Sequence, residues 1–550
     1  MKKLPLLLLL TSLSLTSQAQ YRSQVWCPDN GDGTYTNPVI NADYSDPDIC
    51  VGASGTDFYM TASSFSCIPG LPILHSKDLV NWKIVGYALK ELTPKEEFDK
   101  TSHGNGVWAP CIRYHNGEYY IYWGDPDYGV YMVKTKNPEG EWEKPVLVIA
   151  GKGMIDTTPL WDEDGRCYLA NGWAGSRAGM KSMLTVRELS ADGTKAIGDP
   201  VMVYDGGNDN HTVEGPKFYK RDGWYWIMAP AGGVATGWQL AMRSKSPYGP
   251  YECRTVMAQG KTKINGPHQG GWVHTAQGED WFLNFQDKGA YGRVVHLQPM
   301  KWVNGWPVIG NAKGNAKCGE PVVSYKKPNV GKTYPIENPV ETDEFNTPEL
   351  GKQWQWHANY NQSFGMPTSY GFFRLYTHRL SDNFVNLWEA PNLLLQKTPA
   401  DAFTATTKVK FAAKKDGQYG GLIMMGRSYS ALVVKRVGDE FQLQQITCDK
   451  ADKGKPESVK VIATLKPTSK DKIQYDPAIY MDIYLRLTVK EGAKMTFAYS
   501  LDNKNFKTCG DEFQMVEGKW IGAKFGFVTE EPAGKGVRGY MDVDWIRVTK

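Results

Sequence analysis

Beyond its first twenty residues the sequence has no apolar run approaching the roughly 18 residues that a membrane-spanning helix needs. It also has almost no net charge: 63 Lys and Arg stand against 59 Asp and Glu, a formal +4. No Lys/Arg block is long enough to track phosphates, which argues against a nucleic-acid partner. The nine cysteines (27, 50, 67, 111, 167, 253, 318, 448 and 509) form no CxxC pair and no zinc-site spacing. Their odd number leaves at least one unpaired within the chain, and one or two disulfides stay open. Cys111 and Cys167 lie in apolar strand-like runs, where a small buried hydrophobe is expected. Long heptads are missing too. Instead 57 glycines, 32 prolines and 12% aromatics favour many short strands and tight turns in an all-β chain of 550 residues. That length suits two to four domains.

Residues 1–19 read as an export signal. Lys2 and Lys3 precede the mostly apolar stretch from Leu4 to Leu15, and Ser17-Gln18-Ala19 offers small residues for cleavage. A periplasmic or extracellular protein is expected, with no membrane span in the mature chain.

The body of the chain carries a five-fold repeat. A turn glycine followed by aromatic and aliphatic strand residues occurs at Gly55, Gly117, Gly165, Gly223 and Gly278, with spacings of 62, 48, 58 and 55 residues. Several copies add a downstream polar turn before an aromatic: Ser76-Lys-Asp78 before Trp82, Thr135-Lys-Asn137 before Trp142, Ser244-Lys-Ser246 before Tyr251. Four short strands per unit of this length mark a β-propeller blade. Five units predict a five-bladed propeller over residues 30–320; an irregular sandwich is the alternative.

Nine residues before each turn glycine stand Asp46, Trp108, Asp156, Glu214 and Gln269, with His268 beside the last. Equal offsets in equivalent blades predict equivalent places, on inner strands facing the central channel. Three carboxylates in one mouth suit glycosidic hydrolysis, where one carboxyl protonates the leaving oxygen and another activates water or attacks carbon. A third raises the proton affinity of the acid by like-charge repulsion. Taken singly, each residue has a plainer reading: Asp46 before Pro47 as a turn cap, Asp156 as a backbone partner, Glu214 in a surface turn, Trp108 in the core. The shared register favours the site. His268 reads either as a satisfied channel histidine or as a ligand for water or a metal ion. Arg293 reads as a clamp on sugar hydroxyls or as the partner of an acid.

Residues 35–310 resemble glycoside hydrolase family 43. The matching stretches are Asn37-Pro38, Asp46-Pro47, Ala62-Ser-Ser-Phe65, Pro69-Gly70, His75-Ser-Lys-Asp-Leu79 with Trp82, Gly106-Val-Trp-Ala-Pro110, Ile155-Asp156 with Asp164-Gly165, and Glu214-Gly-Pro216. The resemblance implies single-displacement, inverting hydrolysis with Asp46 as general base, Glu214 as general acid, and Asp156 tuning the acid. It places Phe65, Trp108 and Arg293 in the sugar pocket. His268 falls near a channel histidine associated in the family with a structural calcium or a water network, and no cofactor is required. Asp48 and Cys111 depart from the family's common residues, as does the Gly266–Gly271 segment, and these departures leave the sugar open.

Residues 321–342 read as an extended linker. From 343 to 550 alternating strands predict an antiparallel sandwich. Its entry, Glu344-Phe-Asn-Thr-Pro-Glu-Leu with Trp354-Gln-Trp356, resembles the concanavalin-A-like domain that follows the propeller in family 43 xylosidases. There it can lend a loop to the pocket, and the rival reading is a free carbohydrate-binding module. The expected activity is exo-release of terminal β-D-xylose or α-L-arabinofuranose from plant cell-wall glycans. A glycan-binding propeller without turnover would have lost one of the register acids. A sialidase-type propeller would need an arginine triad.

Overall fold

All five repeat glycines adopt left-handed backbone (φ 68° to 85°) in the turn between the first and second strands of a four-stranded unit. That conformation is costly for any residue with a Cβ, which explains why glycine recurs there. The structure, a computed structural model, describes residues 20–314, 316–470, 478–534 and 536–550; the expected export signal lies outside them.

Five antiparallel sheets of four consecutive strands form the propeller. Their first, innermost strands are Asp48–Val51, Trp108–His115, Met154–Trp161, Lys217–Arg221 and His268–His274. The polar signature falls at the turn from third to fourth strand in three blades. Ser76 Oγ accepts the amides of Asp78 and Leu79, Thr135 Oγ1 that of Asn137, and Ser244 Oγ that of Ser246. One side-chain-to-backbone device therefore recurs around the ring. Strands Phe58–Thr61 and Gly70–Ser76 are buried at every position because neighbouring blades cover both faces.

Among the described residues no strand is exchanged where the ring closes. Instead the segment before the first blade lies along the fifth: Ile40 bridges Val295, and the Asn37 amide spans Leu297 and Val322 (2.8–2.9 Å). Thr34–Thr36 pairs antiparallel with Ser324–Lys326, so the region read as linker contributes a strand before it runs extended. Three residues are too few to show periodicity.

The C-terminal domain is a sandwich of two sheets, antiparallel except where His378–Arg379 runs parallel to Lys524–Glu531. In Ile479–Lys490 buried and half-exposed residues alternate until the last, and the inward set (Met481, Ile483, Leu485) meets Phe411, Phe525 and Phe527. The two domains are in direct contact. Ile68 bridges Trp356, the Asn359 amide holds both backbone groups of Leu92 (2.7 and 2.9 Å), and Lys288 pairs with Asp401. Among the described residues no helix is long and apolar enough to cross a membrane. All nine cysteines are unpaired, six of them buried.

Candidate active site

Every blade bends its backbone into the left-handed region at the repeat position or one residue after it. The residues are Asp46 (φ 55°), Ala109 (36°), Asp156 (60°), Gly215 (58°) and Gln269 (35°). Four of the five carry a Cβ, a conformation that costs about 1–3 kcal/mol each and is retained mainly at functional sites. Gly215 has no alternative, since a Cβ there would come within 2.6 Å of the Gln269 side chain. In three blades this kink accompanies a register shift between first and second strands (Trp108/Cys111, Ile155/Thr158, His268/Gly270). Such bulges re-aim side chains.

The result is a small pocket of about 120 Å³ that brings Asp46, Asp156 and Glu214 together with Phe65, Trp108 and Arg293. Ala109, Ile155, Val234 and Gln269 complete the propeller's share. Asp46 is buried and accepts hydrogen bonds from Ser45 Oγ (2.7 Å) and Ser63 Oγ (2.6 Å). Arg293 Nη1 donates to Ser45 Oγ (2.7 Å) and lies 3.7 Å from the other Asp46 oxygen. Ser63 in turn accepts the Ala109 amide (2.7 Å), so the second blade holds the hydroxyl that holds Asp46.

Asp156 is also buried, and its Oδ2 accepts the Gly215 amide (2.7 Å). Burial pushes its carboxyl well above the usual range, and the charges of Glu214 and Asp46 push it further; the Gly215 amide and the Lys217 ammonium oppose them. Lys217 is fully buried, three residues beyond Glu214, with Nζ donating to the Pro110 carbonyl (3.1 Å). Glu214 remains a third exposed at its side chain, and its Oε1 lies 3.0 Å from His268 Nε2. The other ring nitrogen of His268 is buried without a partner. A buried unpaired acceptor is easier to accommodate than a buried unpaired N–H. That favours the tautomer in which Nε2–H donates to Glu214.

His268 therefore neighbours the pocket through Glu214 and does not line it. A calcium ion takes six to eight oxygen ligands. Among the described residues no three His, Cys, Asp or Glu side chains are placed to hold a metal ion, and His268 Nε2 already faces Glu214.

Phe65 and Trp108 meet edge to face (6.3 Å), and Trp108 meets Trp520 of the sandwich in the same way (6.1 Å). Trp520 lies in the loop before Lys524–Glu531, 44% exposed, within 5.9 Å of the Arg293 guanidinium. The sandwich thus supplies one wall. Sequence reading anticipated such a loop but not the residue. Its only cue is an aromatic in Gly518-Lys-Trp-Ile-Gly522. Ser63 and Lys217 were also missed, being small or basic residues of ordinary appearance. Asp48 accepts the Ile112 amide (2.8 Å) and pairs with Arg113 (2.6 Å). It ties the first blade to the second beneath the pocket.

A five-bladed propeller with three carboxylates at its mouth and a sandwich wall defines a glycoside hydrolase of the propeller type. Residues 35–307 match the model of glycosyl hydrolases family 43, and residues 342–549 match the beta xylosidase C-terminal concanavalin A-like domain. A Xylanibacter ruminicola protein is 34% identical over 91% of this chain and 87% of its own length. The beta-xylosidase of Formosa agariphila is 32% identical over 94% and 90%, and a non-reducing end alpha-L-arabinofuranosidase of Bacteroides ovatus 30% identical over 74% and 78%. Among solved structures, a family 43 protein from Bacillus licheniformis superposes with TM-score 0.76 at 26% identity, covering 94% of this chain and 99% of the other. The chain belongs to glycosyl hydrolases family 43.

Proposed function

We propose that this glycoside hydrolase is an exported, inverting exo-enzyme that removes a terminal pentose, β-D-xylose or α-L-arabinofuranose, from plant cell-wall glycans. The observation that carries the reading is the convergence of Asp46, Asp156 and Glu214 in one small pocket walled by Trp520. A pocket admits a chain end, where a cleft would admit a chain interior.

In this mechanism Glu214, protonated, gives its proton to the departing glycosidic oxygen. Asp46, oriented by Ser45 and Ser63, takes a proton from the water that attacks the anomeric carbon from the opposite side. One displacement inverts that carbon and leaves Asp46 protonated and Glu214 ionised. Exchange with solvent resets both. Asp156, held by the Gly215 amide, sets a second carboxyl in the pocket with Glu214 to orient the substrate. Trp108 and Phe65 pack on the apolar face of the ring, and Arg293 fixes Ser45 and the hydroxyls above it.

The test is hydrolysis of aryl β-D-xyloside and aryl α-L-arabinofuranoside by the purified protein and by Asp46→Asn. Release from either substrate, lost in the variant and giving the inverted anomer first by NMR, is the expected result. It also selects the sugar. Undiminished release by Asp46→Asn would remove that residue as base. No release from either substrate would redirect the assignment to another terminal sugar.

A further inference from the structure

Cys67 and Lys524 meet across the domain boundary. Cys67 follows the propeller segment that carries Phe65; Lys524 opens the sandwich strand that follows the Trp520 loop. Both are buried, at 4% and 3% exposure, and Lys524 Nζ lies 3.1 Å from Cys67 Sγ. Its second partner is Gln355 Oε1 (2.9 Å), whose own amide donates to Pro69 O (2.8 Å). Gln355 is thereby fixed by the chain next to Cys67 and aims the amine at the sulfur. Among the described residues no carboxylate lies within ion-pair distance of Lys524, and no second cysteine pairs with Cys67.

Basic side chains are the neighbours of Lys524 in this space. Lys397, which faces the same space from the adjacent strand and stacks over Tyr44 (4.8 Å), is pushed down to about 8 by burial and by the charge of Lys524. His357, buried, and His103, half-buried, are held neutral chiefly by desolvation and, in small part, by Lys524. Asp43, the acid whose charge acts on Lys397, already accepts the Arg293 amide (2.8 Å). A lysine amine in contact with a thiol, in a site poor in counter-charge, is set up for chemistry between the two groups.

We propose that Cys67 Sγ and Lys524 Nζ become joined through a single inserted oxygen atom, an N–O–S bridge, when the folded protein meets dioxygen. Of the three hydrogens on the amine and thiol two leave, one oxygen atom of O₂ enters between nitrogen and sulfur, and the other oxygen atom takes those two hydrogens as water. The third stays on nitrogen in the bridge formula, since the primary amine keeps one of its two. Nitrogen and sulfur are each oxidised by two electrons, and O₂ takes up all four. A thiol reverses the step by reducing the S–O bond. The bridge would staple propeller to sandwich directly behind the pocket, joining positions far apart in the chain.

Intact-mass measurement of the aerobically purified full chain, denatured without reductant, tests this. The expected result is a gain of about 14 Da, one oxygen added and two hydrogens lost, that dithiothreitol removes. Peptide mapping should join the fragment holding Cys67 to the one holding Lys524. Cys67→Ser and Lys524→Met should each abolish the gain. A native mass with Cys67 fully alkylated after prolonged exposure to air would overturn the proposal. So would a gain of one or two oxygens confined to the Cys67 fragment, which is ordinary thiol oxidation. Because the decisive reading is on the unaltered chain, it does not depend on either variant folding.

Discussion

His268 Nε2 stands 3.0 Å from Glu214 Oε1, on the side of the glutamate away from the pocket. In the proposed mechanism this contact occupies one carboxyl oxygen and leaves the other for the leaving group. His268→Leu is expected to slow substrates with poor leaving groups by about 10–100-fold, because the acid loses its fixed orientation. Activated aryl glycosides, which need less protonation, should suffer less, as they should in Glu214→Gln. His268→Gln, keeping an N–H donor, should recover part of the loss. Parallel kcat/KM measurements on both substrate types decide it.

Asp156 links activity to stability. Its carboxyl is held well above the ordinary range, chiefly by burial. The folded state therefore holds that proton more tightly than the unfolded chain, and stability falls as pH rises through the folded value. Asp156→Asn removes the penalty. The variant should melt about 2–4 °C higher than wild type at neutral pH, converging with it below about pH 4, where both chains are neutral at this position. Thermal scans across that range, set beside a severe loss of turnover, would show both effects.

Lys217 places a buried ammonium among these acids. Lys217→Met should raise the proton affinity of Asp156 and move the pH profile of kcat/KM to higher pH, by up to about one unit. Lys217→Arg keeps the charge and should keep the profile. An unmoved profile in the methionine variant, with the fold intact by circular dichroism, would limit Lys217 to packing.

Trp520 is the sandwich's contribution to the pocket. Trp520→Ala should raise KM for aryl pentosides about tenfold, with a smaller effect on kcat, since it removes a wall and leaves the carboxylates in place. Initial rates over a range of substrate concentration separate the two terms.

The propeller and its mouth were legible in the sequence because a cyclic repeat converts equal spacing into equal position. Gly55 and its four counterparts marked the turns, and counting back from them reached Asp46, Asp156 and Glu214. What stayed hidden depended on contacts between blades or between domains. Ser63 supports Asp46 only because Ala109 of the next blade bonds to it. Trp520 reaches Trp108 from more than four hundred positions away. Thr34–Thr36 pairs with Ser324–Lys326 through three residues, too few to show a pattern. His268 was placed near the site by its neighbour's register, but its attachment to Glu214 was not readable.

The wall formed by Trp520 also sets an order of events during synthesis. A ribosome has finished every residue of the propeller, the three carboxylates included, long before it reaches position 520. The nascent propeller can fold with its acids in place and still lack one side of its pocket. Chains halted before position 520 should bind a chain end weakly, because the acids then stand in a pocket with one side open.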